Sequence, residues 1–201
     1  MNETSKAMRR RFSEDARTGT TTWADRFAGQ GIDIGCGNDP VRVTPTPIMI
    51  DNQPAAHISL VCDATKLAKH YPPGTFDWLH ASQCLEHVPA PVETLCDQWL
   101  PLLKPAGRAI ITVPSWELYE RMVWPSRWNP DHKSTWSLWQ RGSPAPVHIY
   151  VPDLIDYLRR LGWRGTTAAL VDTNYNYART DDQTFDESAS VEAFIEIIVQ
   201  R

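Results

Sequence analysis

Gly31–Asp51, GIDIGCGNDPVRVTPTPIMID, is the stretch on which the fold turns. Ile32 and Ile34 flank Asp33 in a short apolar strand pattern that runs straight into Gly35-Cys36-Gly37. A second apolar run, Ile48-Met49-Ile50, ends in Asp51. A strand, a glycine turn and an acid at the tip of the next strand are the parts of a nucleoside pocket in an open parallel sheet. Glycine suits the turn because a ligand must approach the backbone more closely than a Cβ permits. The Asp51 carboxylate can accept hydrogen bonds from both hydroxyls of an adenosine ribose.

The details discriminate between cofactors. A nicotinamide dinucleotide brings a pyrophosphate, which calls for G-x-G-x-x-G at the start of a long helix. Here Gly37 is followed by Asn38, Asp39 and Pro40, so the third glycine is missing and an acid stands where it would repel phosphate. Asp33 suits a ligand carrying an ammonium group instead. The pattern resembles motif I of the class I methyltransferases that use S-adenosylmethionine, of the small-molecule, type-11-like kind. The resemblance implies the methionine moiety over Gly35 and Gly37 with Cys36 between them. It also implies Asp33 near the amino group, and Asp51 with Asn52 at the ribose. In one respect the chain departs from the family. Only residues 38–47 separate the glycine turn from the second strand, and they include Pro40, Pro45 and Pro47. That segment cannot hold a full-length helix, so the first crossover helix is expected as a turn or loop.

Further motifs follow in family order. Ile58-Ser59-Leu60-Val61 reads as a third strand, followed by Cys62-Asp63-Ala64-Thr65. In the resembled family Asp63 would accept from the adenine amine and Ala64 would leave room for the ring. The structural alternative, compatible with it, is Asp63 or Thr65 as the N-cap of a helix at 66–70. Phe76-Asp77-Trp78-Leu79-His80 is the fourth strand, and the run after it, from Ala81 to Pro89, resembles the segment that places a small residue, here Ser82, under the methionine. The Asn/Asp-Pro-Pro-Tyr motif of amino-methylating DNA enzymes is absent. Val92, Leu95, Trp99, Leu102 and Leu103 recur at helical spacing, and Leu103-Lys104-Pro105-Ala106-Gly107 breaks that pattern before a fifth strand, Arg108 to Val113. His148-Ile149-Tyr150-Val151-Pro152-Asp153 resumes the pattern ahead of a helix with Pro152 near its first position and Gly162 past its end. Residues 164–175 and 191–200 complete the strands. The expected fold is α/β: a Rossmann-like, seven-stranded, mostly parallel sheet with an antiparallel last strand and helices on both faces.

Composition sets the outer bounds. At 201 residues the chain reads as one methyltransferase-like domain, 1–201. Residues 1–30 form an N-terminal helical extension whose Phe12 and Arg9-Arg10-Arg11 suit either a solvated face or a lid over the cofactor. The formal charge of −4 argues against a dedicated nucleic-acid binder. Cys36, Cys62, Cys84 and Cys96 show no C-x-x-C pairing and read as reduced, buried thiols. No signal-peptide pattern and no membrane-length apolar run appear, so a cytoplasmic protein is expected.

The long departure from the family pattern is 115–147, where Trp116, Tyr119, Trp124, Trp128, Trp136 and Trp139 lie among Pro125, Pro130, Pro144 and Pro146. A long aromatic segment after a strand's carboxyl end suits a substrate wall. It equally suits a satellite core or a homodimer contact. Methyl transfer to a hydroxyl or a protonated amine requires a proton acceptor on the substrate side. The candidates are His132, Asp131, His87 and His148, with His132 first because a histidine suits proton transfer near neutral pH and this one lies with Asp131 inside the insertion. Glu86 reads as structural at least as readily as catalytic. The scattered histidines show no ligand spacing, and no metal is expected. The sequence thus points to methyl transfer from S-adenosylmethionine to oxygen or nitrogen of a small-molecule acceptor. The alternatives are a non-catalytic cofactor-binding or partner-activating subunit and, further off, a nicotinamide oxidoreductase.

Overall fold

Nine strands form in the computed structural model, which describes residues 24–184 and 191–201. They are β1 (Gly31–Ile34), β2 (Ile48–Asp51), β3 (Leu60–Val61), β4 (Phe76–Ser82), β5 (Leu103–Pro114), β6 (Thr135–Ser137), β7 (His148–Tyr150), β8 (Thr167–Val171) and β9 (Phe194–Gln200). Seven make one sheet in the order β3-β2-β1-β4-β5-β9-β8, while β6 and β7 form a separate parallel pair. β1 to β5 run parallel. β9 inserts antiparallel between β5 and β8. This is the mostly parallel sheet with an antiparallel last strand that the motif order predicts.

Strand alternation sorts the side chains. Ile32 and Ile34, Leu79 and Ala81, Ala109, Ile111 and Val113, and Ile195, Ile197 and Val199 share one buried cluster. Helical pieces press onto it. Leu67 comes from the 3₁₀ segment Ala64–Lys69, and Leu154 and Leu158 from α2 (Val151–Arg160). Leu95 and Trp99 come from a helix that starts as α1 (Pro91–Glu93) and widens to a π-helical stretch, Thr94–Trp99. Of the predicted stripe, Leu95, Trp99 and Leu102 are buried and Val92 is half-buried, whereas Leu103 is buried as the first residue of β5, which starts there and not at Arg108. Gly162, at φ +96°, stands just past the end of α2.

Among the described residues the other face is more thinly covered. Its apolar cluster is Phe27, Val41, Trp78 and Ile110, with Phe27 from a single 3₁₀ turn, Ala24–Phe27, set edge-on to Trp78 at 4.9 Å. Polar pairs complete it: Asp33 with His80, Ser82 with Thr112, and Arg26 with Glu196. Helical structure therefore lies on both faces, unequally. Residues 38–47 carry no helix, as the prolines require, and residues 52–59 of the second crossover carry none either. The N-terminal arginines, Phe12 and the lid expectation lie outside the described residues.

Candidate active site

A cavity of about 780 Å³ opens at the carboxyl ends of four adjacent strands. Gly35 follows β1, Asp51 and Asn52 close β2, Cys62 to Thr65 follow β3, and Gln83 and Cys84 follow β4. The strand order reverses between β1 and β4, where doubly wound sheets bind ligands. The remaining wall is His87 to Ala90, Thr94, Asp131 and Lys133.

With no crossover helix behind it, the glycine turn is held by other means. Gly35 and Cys36 both donate N–H to the Ile50 carbonyl. Gly37 N–H donates to Asp51 Oδ2 at 2.9 Å, and the His57 ring bonds the Gly37 carbonyl at 2.7 Å. Gly35 sits at φ +66°, and a Cβ there would meet Cys84 Sγ at 2.5 Å. Gly37, at φ +52°, faces open space where its Cβ would be. Asp51 also accepts from Gln53 N–H through Oδ1 at 2.9 Å. Each of its oxygens keeps a lone pair for a further donor.

Of the residues singled out for the cofactor, Gly35, Asp51, Asn52, Asp63 and Ala64 line the cavity. Asp63 also caps the helical segment behind it, accepting from Thr65 N–H and Oγ1, and these bonds hold its carboxyl below the usual carboxylate range. Asp33, Cys36, Gly37 and Ser82 do not line the cavity. The alternation that buries Ile32 and Ile34 turns Asp33 to the thin face, where it is 2% exposed. There it accepts from Val41 N–H at 2.8 Å and pairs with His80 Nδ1 at 2.7 Å. Asp33 thus anchors the shortened crossover, and the expectation that it meets an amino group gives way to that role. Ser82 is likewise buried, bonded to Thr112 Oγ1.

On the acceptor side, His87 and Asp131 line the cavity and His132 stands behind them, buried, with Nδ1 2.5 Å from Glu120 Oε1. The rings of His87 and His132 lie edge to face at 4.9 Å. Burial first, and then the neighbouring His132, hold the His87 imidazole below its ordinary value. His148 is elsewhere, with Nδ1 bonded to Thr135 Oγ1 and Nε2 to the Gln140 carbonyl, and it does not line the cavity. The aromatic residues of the insertion do not line it either. Trp116 and Trp136 are core residues, and Trp128 donates to the Tyr119 carbonyl. The satellite-core reading of those tryptophans is the one the packing favours, and only Asp131 and Lys133 carry the insertion into the cavity.

Sequence reasoning passed over Gln83, Cys84, Thr94 and Lys133. Gln83 had one available signal, a polar residue directly after a strand, and it holds φ +50°, an uncommon conformation of the kind found at ligand sites. Burial raises all four thiols, Cys36 to about 12, which leaves them protonated at neutral pH.

No protein-family model and no curated protein matches the sequence. Solved structures do match its fold. A S-adenosylmethionine-dependent methyltransferase from Archaeoglobus fulgidus superposes with a TM-score of 0.58 at 18% identity, over 94% of each chain. A complex containing the Haloferax volcanii Trm112 methyltransferase activator gives 0.51 at 15% identity, over 98% of this chain and 94% of the other. The plantazolicin methyltransferase BpumL, solved with S-adenosylhomocysteine, gives 0.51 at 13% identity, over 99% of this chain and 92% of the other. The chain has the fold of the class I S-adenosylmethionine-dependent methyltransferases.

Proposed function

We propose that this protein transfers a methyl group from S-adenosylmethionine to an oxygen or nitrogen of a small-molecule acceptor. The observation that carries the reading is the cavity itself, walled by the carboxyl ends of four adjacent strands, with Asp51 at the tip of β2 beside the Gly35 turn. Its volume falls in the range of small-molecule sites. The residues fit the cofactor. Asp51, which lines the cavity, keeps acceptor capacity for ribose hydroxyls. Asp63 and Ala64 serve the adenine end, with Asn52 beside the ribose. When bound, S-adenosylmethionine supplies a methyl group activated by a sulfonium.

The chain's own residues then position the acceptor and manage its proton. Asp131, His87 and Lys133 form the wall available to that acceptor, and His132 orients His87 from behind. The absence of a long apolar helix among the described residues gives no span across a membrane, and a diffusible acceptor fits the open cavity. A second reading has the chain working with a protein partner. It draws on the likeness to a chain from an activator complex and on the exposed Met122 and Trp139 of the insertion.

Calorimetry tests the cofactor assignment. Wild type should bind S-adenosylmethionine, and Asp51→Ala should weaken binding by roughly 1.5–3 kcal/mol, the range for hydrogen bonds to a charged group. Unchanged affinity in that variant removes the ribose role. Turnover by the isolated chain, with its mass measured by light scattering, separates the two readings.

A further inference from the structure

The residues after β4 and the insertion bring together three side chains that lie far apart in the sequence. Glu86 Oε1 stands 3.9 Å from His87 Nε2 and 4.0 Å from His132 Nε2, and the three donor atoms all lie within 4.8 Å of one another. We propose that Glu86, His87 and His132 bind one divalent first-row transition ion, zinc or an ion of its size, at the edge of the cavity.

Four observations support the site. The separations are too long for hydrogen bonds. They approach the spacing of ligands around one ion, because bonds of about 2.0–2.2 Å put ligand atoms about 3–4 Å apart. The donors need draw in by only some tenths of an ångström. Second, His132 is prepared as a ligand. Its Nδ1 lies 2.5 Å from Glu120 Oε1, which places the ring proton there and leaves the Nε2 lone pair facing Glu86. A carboxylate behind a histidine in this way is the usual support of a metal-bound imidazole.

Third, the surroundings are acidic. Glu86 and Glu120 are both buried, at 0% and 1% exposure, and two carboxylates so placed favour a cation beside them. Asp131 and Lys133, on the neighbouring cavity wall, are exposed and of opposite sign. Fourth, the cluster is locked and open. The Glu86 carbonyl accepts from both Lys133 and Ser134 N–H, which fixes the insertion's backbone beside the segment Leu85–His87. His87 lines the cavity, so a vacant coordination position would face it. Two histidines and one carboxylate with a position left over is a donor set of catalytic zinc and related ions.

The ion's use rests on the proposed methyl transfer. An acceptor oxygen or nitrogen that coordinates it releases its proton to water more readily. The acceptor lone pair then forms the bond to the methyl carbon while the broken carbon–sulfur pair stays on sulfur. The site itself rests on the donor geometry alone.

Cobalt titration of the chelator-treated, full-length protein tests it, read by visible ligand-field absorption, with zinc content of the untreated protein by mass spectrometry. The expected result is saturation at one ion per chain. Glu86→Gln and His87→Ala should abolish saturation. Glu120→Gln, which leaves all three ligands in place, should weaken it about 10–100-fold. The exposed His70→Ala should match wild type. Wild-type protein that shows no cobalt band, or variants that titrate like wild type, overturns the proposal. Because the wild-type titration decides alone, a variant that fails to fold does not rescue it. Calorimetry with S-adenosylmethionine on the same samples keeps the two readings apart, since cofactor binding without cobalt binding defeats the metal site and leaves the methyl-transfer reading standing.

Discussion

At the residue scale the site turns on a few atoms around the glycine turn. Gly35 is required twice over, by its positive φ and by the 2.5 Å approach of Cys84 Sγ to the place a Cβ would take. Gly37 is required only by φ, since nothing lies within 4 Å of that place. Gly37→Ala should therefore lose roughly 1–2 kcal/mol of stability, the cost of a left-handed conformation for an L residue. Gly35→Ala should lose more, by the additional displacement of Cys84. Urea unfolding of the pair checks this, and equal losses would mean that the Cys84 contact is soft. Both glycines and Asp51 were legible in the sequence, because their spacing reports a backbone requirement. The placement of Asp33 was not legible, because a carboxylate's residue type does not say which face of a strand it takes. That depended on Val41 and His80, neighbours that only the fold supplies.

At the element scale, the strands were legible to within a few residues and the helices less so. β1, β2, β4 and β5 follow from apolar runs with breakers at their ends. α2 follows from Pro152 near its start and Gly162 past its end. The widening of the helix after α1 into a π-helical stretch left no pattern in the sequence. One polar clamp joins three strands at their amino ends. Asp77 accepts from Lys104 Nζ at 2.9 Å and from Gln30 N–H at 2.9 Å, which ties the starts of β4, β5 and β1. The Lys104 hydrogen bond, aided by that of Gln30, holds the Asp77 carboxyl below its ordinary value. A folded-state value below the unfolded one means that its stabilisation is fully present above about pH 4 and fades as the pH falls through the depressed value. Both side chains are about a third or more exposed, so the effect is screened and should stay under about 1 kcal/mol. Asp77→Asn should lower the urea midpoint at pH 7 by a correspondingly small amount. The gap to wild type should close in acid, once Asp77 is protonated in the folded state as well, and a gap that persists there would point to packing in place of charge.

At the scale of the whole molecule, the mostly parallel sheet with its antiparallel last strand was foreseeable from motifs in family order, whereas its strand order and the assembly of Glu86, His87 and His132 were not. Residues brought together by an insertion folding back on a strand end leave no local spacing to read. The unequal dressing of the two faces was half visible. The prolines of 38–47 announced the missing first crossover helix, but nothing comparable marked residues 52–59. The face that the described residues cover less lies beneath the glycine turn, where the backbone is held by side chains: Val41 N–H by Asp33, Gly37 N–H and Gln53 N–H by Asp51. Amides held in this way open locally, without unfolding of the sheet. Hydrogen–deuterium exchange should therefore find 36–47 and 52–59 exchanging well ahead of β4 and β5, and S-adenosylhomocysteine should slow Gly37 and Gln53 most. Uniform exchange across these segments would show that the thin face is as rigid as the thick one. If the contrast holds, part of the cofactor's binding energy is spent on quieting this loop. Affinity would then depend on temperature and on remote substitutions such as His57→Ala that touch no ligand, and the ordering of the turn would set the off-rate.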